Sequence, residues 1–458
     1  MNRLRPTLIL CFLFLPLLAS AWDARLASLN NPTLSANASV PSGTLPSLVF
    51  PTDEFGYGLS FIPDPLDIWK LPQKLADPSL FPSHAVIVDW TGPTVFDGSA
   101  GIVVGLEALP LSLAFFLGRP NLNGWVVGDY MDDLYGGNYW DEAMSVAGMN
   151  NITEPVTPAN LADLIVALHL GEVLLGVSAG FSYDLAADNQ WVYKIETEKS
   201  RTSVITLRGG ITVPLNLSFP LTIDLGSMFL ISDFLAKYVD SAGTDDDRIE
   251  VDNHTFSVCG RFTFGLGPAL DLDFVGEYAQ TGYDDFSVFN DGIALTRYDL
   301  RLDGARIYSG GGGIGINWTP NDSVFVNGMI SVISGGVDYN DEPAGVFTSE
   351  HDNITWITFR SVIDSELAIR KWFYLRGGIG TTVNYVGETH PNPPGAETRL
   401  WYTVNTPSAS AGIGFIIAEK IHLDIALNLM NIIGYDTVNP YPTLSKAPAL
   451  QASIKADL

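Results

Sequence analysis

Charged residues stand at regular places in segments that are otherwise apolar on one parity and small on the other. Arg208, Arg261, Arg360 and Arg376, with Asp224, Asp271, Asp273, Glu277, Asp364, Glu366 and Asp424, fall on the small-residue parity. Two kinds of chemistry suit such a set. A wetted wall bearing both signs of charge selects the solutes that move along it. On that reading Arg208, Arg261, Arg360, Arg376, Asp271, Asp273, Asp364, Glu366 and Asp424 are the candidate binding residues. The same charges suit an ion-pair network that holds an inserted piece of chain, because a charge taken out of water needs a partner, or simply a wall in contact with water that binds nothing.

Covalent and metal chemistry have weaker signatures. Gly176-Val177-Ser178-Ala179-Gly180 matches Gly-x-Ser-x-Gly, but that motif exposes a nucleophile only where a strand turns sharply into a helix. Here the alternation runs straight through it. His422 and Asp424 share a parity beside a turn, where a barrel hydrolase would add a serine; neighbouring polar residues on a wetted face are the simpler account. The six histidines lack the H-E-x-x-H spacing of a metal site. Asp245-Asp246-Asp247 lacks the spaced ligands, central glycine and distant glutamate of a calcium loop. No Walker motif and no dinucleotide fingerprint occurs. Neither enzymatic activity nor a metal or cofactor is expected.

The elements that must position these charges are strands. In residues 172–184, Val173, Leu175, Val177, Ala179, Phe181 and Tyr183 alternate with Leu174, Gly176, Ser178, Gly180, Ser182 and Asp184. A period of two places the sets on opposite faces of a strand. One face suits lipid and the other a lumen lined by small residues, the pattern of a transmembrane β-barrel. Ile205, Leu207, Ile211 and Val213 repeat the pattern, as do Phe256, Val258, Phe262 and Phe264, and Ile314, Ile316 and Trp318. Short turns at 110, 171, 214–220, 267–268, 320–322, 370–371 and 419–420 each join two such strands. The expected fold is therefore all-β, an antiparallel up-and-down barrel of 14 strands. A closing strand at 450–458 and one early strand would raise the number to 16. The other connections, at 129–158, 240–252, 338–352 and 387–398, are long and acidic or polar; 283–305 adds strands or an outer loop. Short turns on one side and long loops on the other is the outer-membrane arrangement.

The first 21 residues read as a secretory signal peptide: Arg3 and Arg5, an apolar run from Leu8 to Leu18, and Ala19-Ser20-Ala21 before the cut. Removing them leaves 22 basic and 51 acidic residues, a net charge of −29, which argues against a nucleic-acid partner. Charged residues are only 16% of the chain, against about 25% in soluble domains, as a lipid-facing wall requires. Cys259 is the one cysteine after the signal peptide and reads as a spare thiol on a strand. The longest apolar run, Leu164 to Phe181, carries His169 and Glu172 and splits better into a hairpin than into a membrane helix. Residues 22–80 differ from the rest. Eight prolines from Pro32 to Pro78 block long strand pairing, yet Leu45–Phe50 and Tyr57–Trp69 are largely apolar. This segment is either an irregular piece lodged in the barrel or a periplasmic extension with one early strand near Phe55–Phe61. The barrel itself then occupies 81–458.

Asp23-Ala24-Arg25-Leu26-Ala27-Ser28-Leu29 resembles the opening of the long-chain fatty-acid transporter-like outer-membrane proteins and the related type IX secretion shuttle proteins. Asn31-Pro32 matches half of their Asn-Pro-Ala-Gly-Leu motif, and Thr33-Leu34 departs from it. The chain also ends in Asp457-Leu458 where many such barrels carry an aromatic residue, so no ligand-binding residue is carried over. The resemblance implies a 14-stranded barrel entered by its N-terminal segment, and uptake of hydrophobic small molecules. The expected location is the bacterial outer membrane, with lipid, lipopolysaccharide and a small-molecule solute as partners and divalent cations at the acidic loops. Three functions fit: passive transport of small hydrophobic or amphipathic solutes, an open porin, or a surface or secretion scaffold without transport.

Overall fold

The computed structural model describes residues 29, 59–81, 84–90, 98–106, 109–119, 161–189, 197–239, 246–289, 306–338, 353–392, 396–418, 421–428 and 450–457. The signal peptide, the opening that carries the family resemblance up to Ser28, Asn31–Leu34, and the 129–158 connection lie outside these residues. Among the described residues the chain forms sixteen strands. They are β1 (His84–Trp90), β2 (Gly98–Leu106), β3 (Leu111–Arg119), β4 (Leu161–Leu170), β5 (Val173–Asn189), β6 (Thr197–Asn216), β7 (Pro220–Val239) and β8 (Asp246–Gly267). Then follow β9 (Leu270–Phe289), β10 (Arg306–Asn321), β11 (Val324–Asp338), β12 (Asn353–Arg370), β13 (Phe373–Asn392), β14 (Ala396–Ile417), β15 (Ile421–Asn428) and β16 (Leu450–Asp457). Every pairing is antiparallel between chain neighbours, and β1 also pairs with β16, from Ala85↔Asp457 to Trp90↔Ala452. The hydrogen-bonded order thus returns to its start. A sheet so closed has no unpaired edge strand.

Fourteen of these strands are the seven hairpins predicted from the short turns. The closing strand expected at 450–458 is present as β16, and the early strand is β1 at His84–Trp90, so the number is sixteen, the upper of the two expected counts, and not 14. β1 and β16 are each brief, and they find each other only across the closure of the ring. The turn at 171 is fixed locally: Gly171 has φ +68°, a left-handed conformation that costs glycine nothing. The proposed early strand at Phe55–Phe61 does not form in its described part, where Ser60 makes an isolated bridge before the chain turns.

The alternation in β5 is borne out from Gly176 to Tyr183, while Val173 and Leu175 of the outward set are half-buried. Val177, Ala179, Phe181 and Tyr183 are exposed, and Leu174, Gly176, Ser178, Gly180 and Ser182 are buried. Around the ring the exposed face carries Ile205, Phe229, Phe256, Ile314, Ile330 at 69% and Ile379 at 65%. A belt of this kind is unfavourable in water and favourable in lipid.

Strand lengths are uneven. β1, β2, β3, β15 and β16 have 7 to 9 residues, whereas β6, β7, β9 and β13 have 20 and β8 and β14 have 22. About 9–11 residues cross a bilayer. The long strands exceed that length and carry the extra residues at the ends away from the short turns. This corrects the predicted loops at 240–252 and 387–398. Asp246 to Asp252 is the start of β8, paired with β7 as far as Asp246↔Val239. Residues 387–392 and 396–398 are the facing ends of β13 and β14. Ladder pairing with a neighbour outweighs the polar composition that suggested loops.

Residues 59–81 lie against the inner face. They contain two short 3-10 helices, Pro65–Trp69 and Pro72–Ala76, the second packed against β3, β4, β5 and β6. Ile68, Trp69, Leu75, Ala76 and Phe81 form one apolar cluster with Ala85, Ile87, Val103, Ala114, Phe116, Ile165, Ala167 and Leu174 of β1 to β5. Trp69 meets Phe116 edge to face at 4.8 Å between ring centres, a favoured aromatic geometry.

Candidate functional site

The proline-started turns of residues 59–81 project charged side chains at short intervals, and the inner faces of β7, β8 and β9 answer them. Arg261 on β8 is the hub. Its Nη1 donates to Asp67 Oδ2 at 2.7 Å and to the Ser60 carbonyl at 3.1 Å. Its Nη2 and Nε donate to Asp224 Oδ2 on β7 at 3.0 and 3.2 Å. Lys74 Nζ pairs with the other oxygen of Asp224 at 2.8 Å, and Thr212 on β6 donates to that oxygen at 2.6 Å. Lys70 pairs with Glu277 on β9. Glu277 also accepts the Leu59 amide at 3.4 Å. Both side chains of each of these pairs are buried. Burial pushes the Asp67 carboxyl above the usual carboxylate range, against the pull of Arg261.

Backbone contacts complete the seat. Asn317 on β10 donates to the Phe61 carbonyl at 3.0 Å and to Asp273 on β9, which also accepts from Thr263. Gln73 donates to the Leu225 carbonyl at 3.3 Å. Glycines make room: a Cβ on Gly176 would lie 2.1 Å from the Gln73 nitrogen, on Gly226 2.3 Å from the Lys70 carbonyl, and on Gly315 2.8 Å from the Phe61 ring. The small-residue parity in this part of the wall is a bed for a specific stretch of chain.

The remaining candidate residues do not join this seat. Arg208 on β6 bonds Asp163 on β4 at 3.2 Å and Ser178 Oγ at 3.1 Å, all buried within the wall. Ser178 is thus an acceptor on a strand that runs straight through its Gly-x-Ser-x-Gly, so the nucleophile geometry is absent there. Arg376 on β13 lies between Glu366 on β12 and Asp424 on β15, across Gly414 on β14. Arg360 and Asp364 stand on the inward parity of β12, with Asp364 buried. Asp271 shares the parity of Asp273 but is exposed at the turn end of β9. Of the nine predicted binding residues, Arg261 pairs with the inserted segment directly and Asp273 reaches it through Asn317. Arg208, Glu366, Arg376 and Asp424 pair strand to strand.

No protein-family model matches the chain, and no curated protein matches it. Among solved structures it is similar to a Pseudomonas aeruginosa FadL homologue at 8% identity, covering 96% of this chain and 99% of that one, with a TM-score of 0.36. It is similar to the P. putida toluene transporter TodX at 10% identity, covering 84% and 90%, with a TM-score of 0.32. It is also similar to CdiB from Escherichia coli at 11% identity and a TM-score of 0.39. That match covers 87% of this chain and 64% of CdiB.

Asp67, Lys70, Lys74 and Asp163 are functional residues outside the predicted set. A signal for the first three was present: Phe61 to Ala76 is apolar and proline-rich apart from Gln73 and the charges at positions 64, 67, 70 and 74. Charges recurring every three or four residues in an apolar stretch imply partners elsewhere, because isolated charges are too costly to bury.

Proposed function

We propose that the chain is an outer-membrane transport barrel whose N-terminal segment closes the lumen, and that it passes small hydrophobic or amphipathic solutes by passive diffusion. The reading rests on one observation: residues 59–81 are held to the inner wall by the buried pairs Lys70–Glu277, Lys74–Asp224 and Asp67–Arg261. A wall so occupied is a poor open pore for ions. The lipid-compatible outer face and the short turns on one side favour the outer membrane as its site. The apolar inner face of β1 to β5, now covered by Ile68, Trp69 and Leu75, favours hydrophobic solutes, since whatever replaces those side chains must also be apolar.

Planar-bilayer recording of the mature protein, residues 22–458, tests the closure. Silence or rare flickers are expected, with large steady openings after deletion of residues 59–81. Steady ohmic openings from the intact chain would refute the closed barrel and favour the porin. A closed barrel that neither binds nor passes apolar dyes in proteoliposomes, yet co-purifies with a secreted protein, would favour the scaffold.

A further inference from the structure

The short turns of an outer-membrane barrel face the periplasm, where they meet the phospholipid leaflet. Among the described residues six turns can be compared: Leu109-Pro110, Gly171-Glu172, Leu217–Phe219, Pro268-Ala269, Asp322-Ser323 and Lys371-Trp372. Only the last carries lysine or arginine, with exposed Arg370 directly before exposed Lys371. In a chain of net charge −27 this is a conspicuous place for two adjacent cations. Aromatic rings sit beside them. Trp372, 55% exposed, stacks on Phe415 at 6.4 Å with 15° between planes. Phe373 lies 5.8 Å from Trp372 and 5.2 Å from Phe415. Ile416 N donates to the Trp372 carbonyl at 3.0 Å, which ties the turn to β14. Exposed Ile369, Leu375 and Ile417 continue the apolar surface away from the turn.

The aromatic cluster between β7, β8 and β9 provides a contrast. Phe219, Phe264 and Phe274 meet at 5.5 to 5.7 Å, and Phe219 and Phe264 line an open groove of about 400 Å³. Among the described residues that groove is lined by no cation. It suits acyl chains of any lipid, whereas the β12–β13 turn adds a charge that only some lipids answer.

We propose that Arg370, Lys371 and the Trp372–Phe373–Phe415 cluster form a site for an anionic phospholipid. The cations hold the headgroup phosphate and the rings carry the upper acyl chains. Each basic residue near an anionic lipid surface adds about fivefold in affinity, so the pair supplies about thirtyfold. The site rests on the barrel lying in an outer membrane, and it is independent of how the lumen is closed.

Native mass spectrometry of the full mature protein in detergent tests this, using phosphatidylglycerol, phosphatidylcholine and inorganic phosphate as probes. Heat-modifiable gel migration checks that each variant is folded. Wild type is expected to retain phosphatidylglycerol in preference to phosphatidylcholine. The Arg370→Gln/Lys371→Gln variant should weaken that retention about thirtyfold, while Lys371→Arg and the distant-turn variant Glu172→Gln keep it. Equal retention of the two lipids, or wild-type retention by the double variant, would overturn the site. Displacement by inorganic phosphate would overturn it too, by assigning a free-anion site in place of a lipid one. A folding failure confined to the Gln pair leaves Lys371→Gln alone, expected to weaken retention about fivefold, to decide the matter.

Discussion

Replacing Arg261 with methionine removes the cation that faces Asp67 on the inserted segment and Asp224 on the wall. Lys74 still compensates Asp224 at 2.8 Å, so the loss falls mainly on Asp67. The pair spans 2.7 Å, and its side chains are 1% and 2% exposed, so solvent does little to soften the loss. Removing one partner from such a buried pair costs about 3–5 kcal/mol, because a charge is left without compensation. At tenfold per 1.4 kcal/mol, the population in which the segment has left its seat should rise about a hundredfold to several thousandfold. The molecule carries its own reporter. Cys259 is the single thiol after residue 21; it is buried two residues from Arg261 on β8, with Sγ 3.9 Å from the Lys70 carbonyl. Its labelling by a water-soluble maleimide in proteoliposomes should accelerate in proportion to that population. Asp67→Asn should act in the same direction but less, since Arg261 keeps Asp224 at 3.0 Å. Labelling of the Arg261→Met protein at the wild-type rate would refute the idea that this pair holds the segment down.

Three further outcomes follow from the same geometry. Lys70→Met should also expose Cys259, and adding Glu277→Met should recover much of the loss, because an apolar pair can replace a buried ion pair at little cost; labelling rates of the single and double variants decide it. Gly176→Leu should dislodge the segment, since even its Cβ would fall 2.1 Å from the Gln73 nitrogen, whereas Gly328→Ala, with nothing within 4 Å, should behave as wild type; the same labelling assay separates them. Ile330→Arg, placed on the most exposed apolar position of β11, should lower folding stability in lipid vesicles by about 2–4 kcal/mol. Urea titration would read that loss, and an unchanged midpoint would mean that this face does not meet lipid.

The faces of the strands were legible in the sequence because parity is a local property: successive Cβ atoms point to opposite sides whatever the strand pairs with. Val177 against Ser178, Ile205 against Arg208 and Phe262 against Arg261 could be sorted before any partner was known. The hairpins were legible for a similar reason, since a turn such as Gly171-Glu172 joins strands that are adjacent in sequence. What lay beyond reach was whatever depends on residues meeting across the ring. β16 could be read as a closing strand but its partner could not: β1 shares no turn with it, and Ala85 finds Asp457 only when the sheet closes. The acidic stretch at 246–252 became strand because β7 and β9 offered it partners on both sides, which composition cannot express. The seat of the inserted segment is the clearest case. Asp67 meets Arg261 across 194 residues and Lys70 meets Glu277 across 207. By itself the chain determined which residues face inward and that their charges needed answering. Which charge answers which was decided by the tertiary structure, because only there do residues 59–81 lie against the inner faces of β7, β8 and β9.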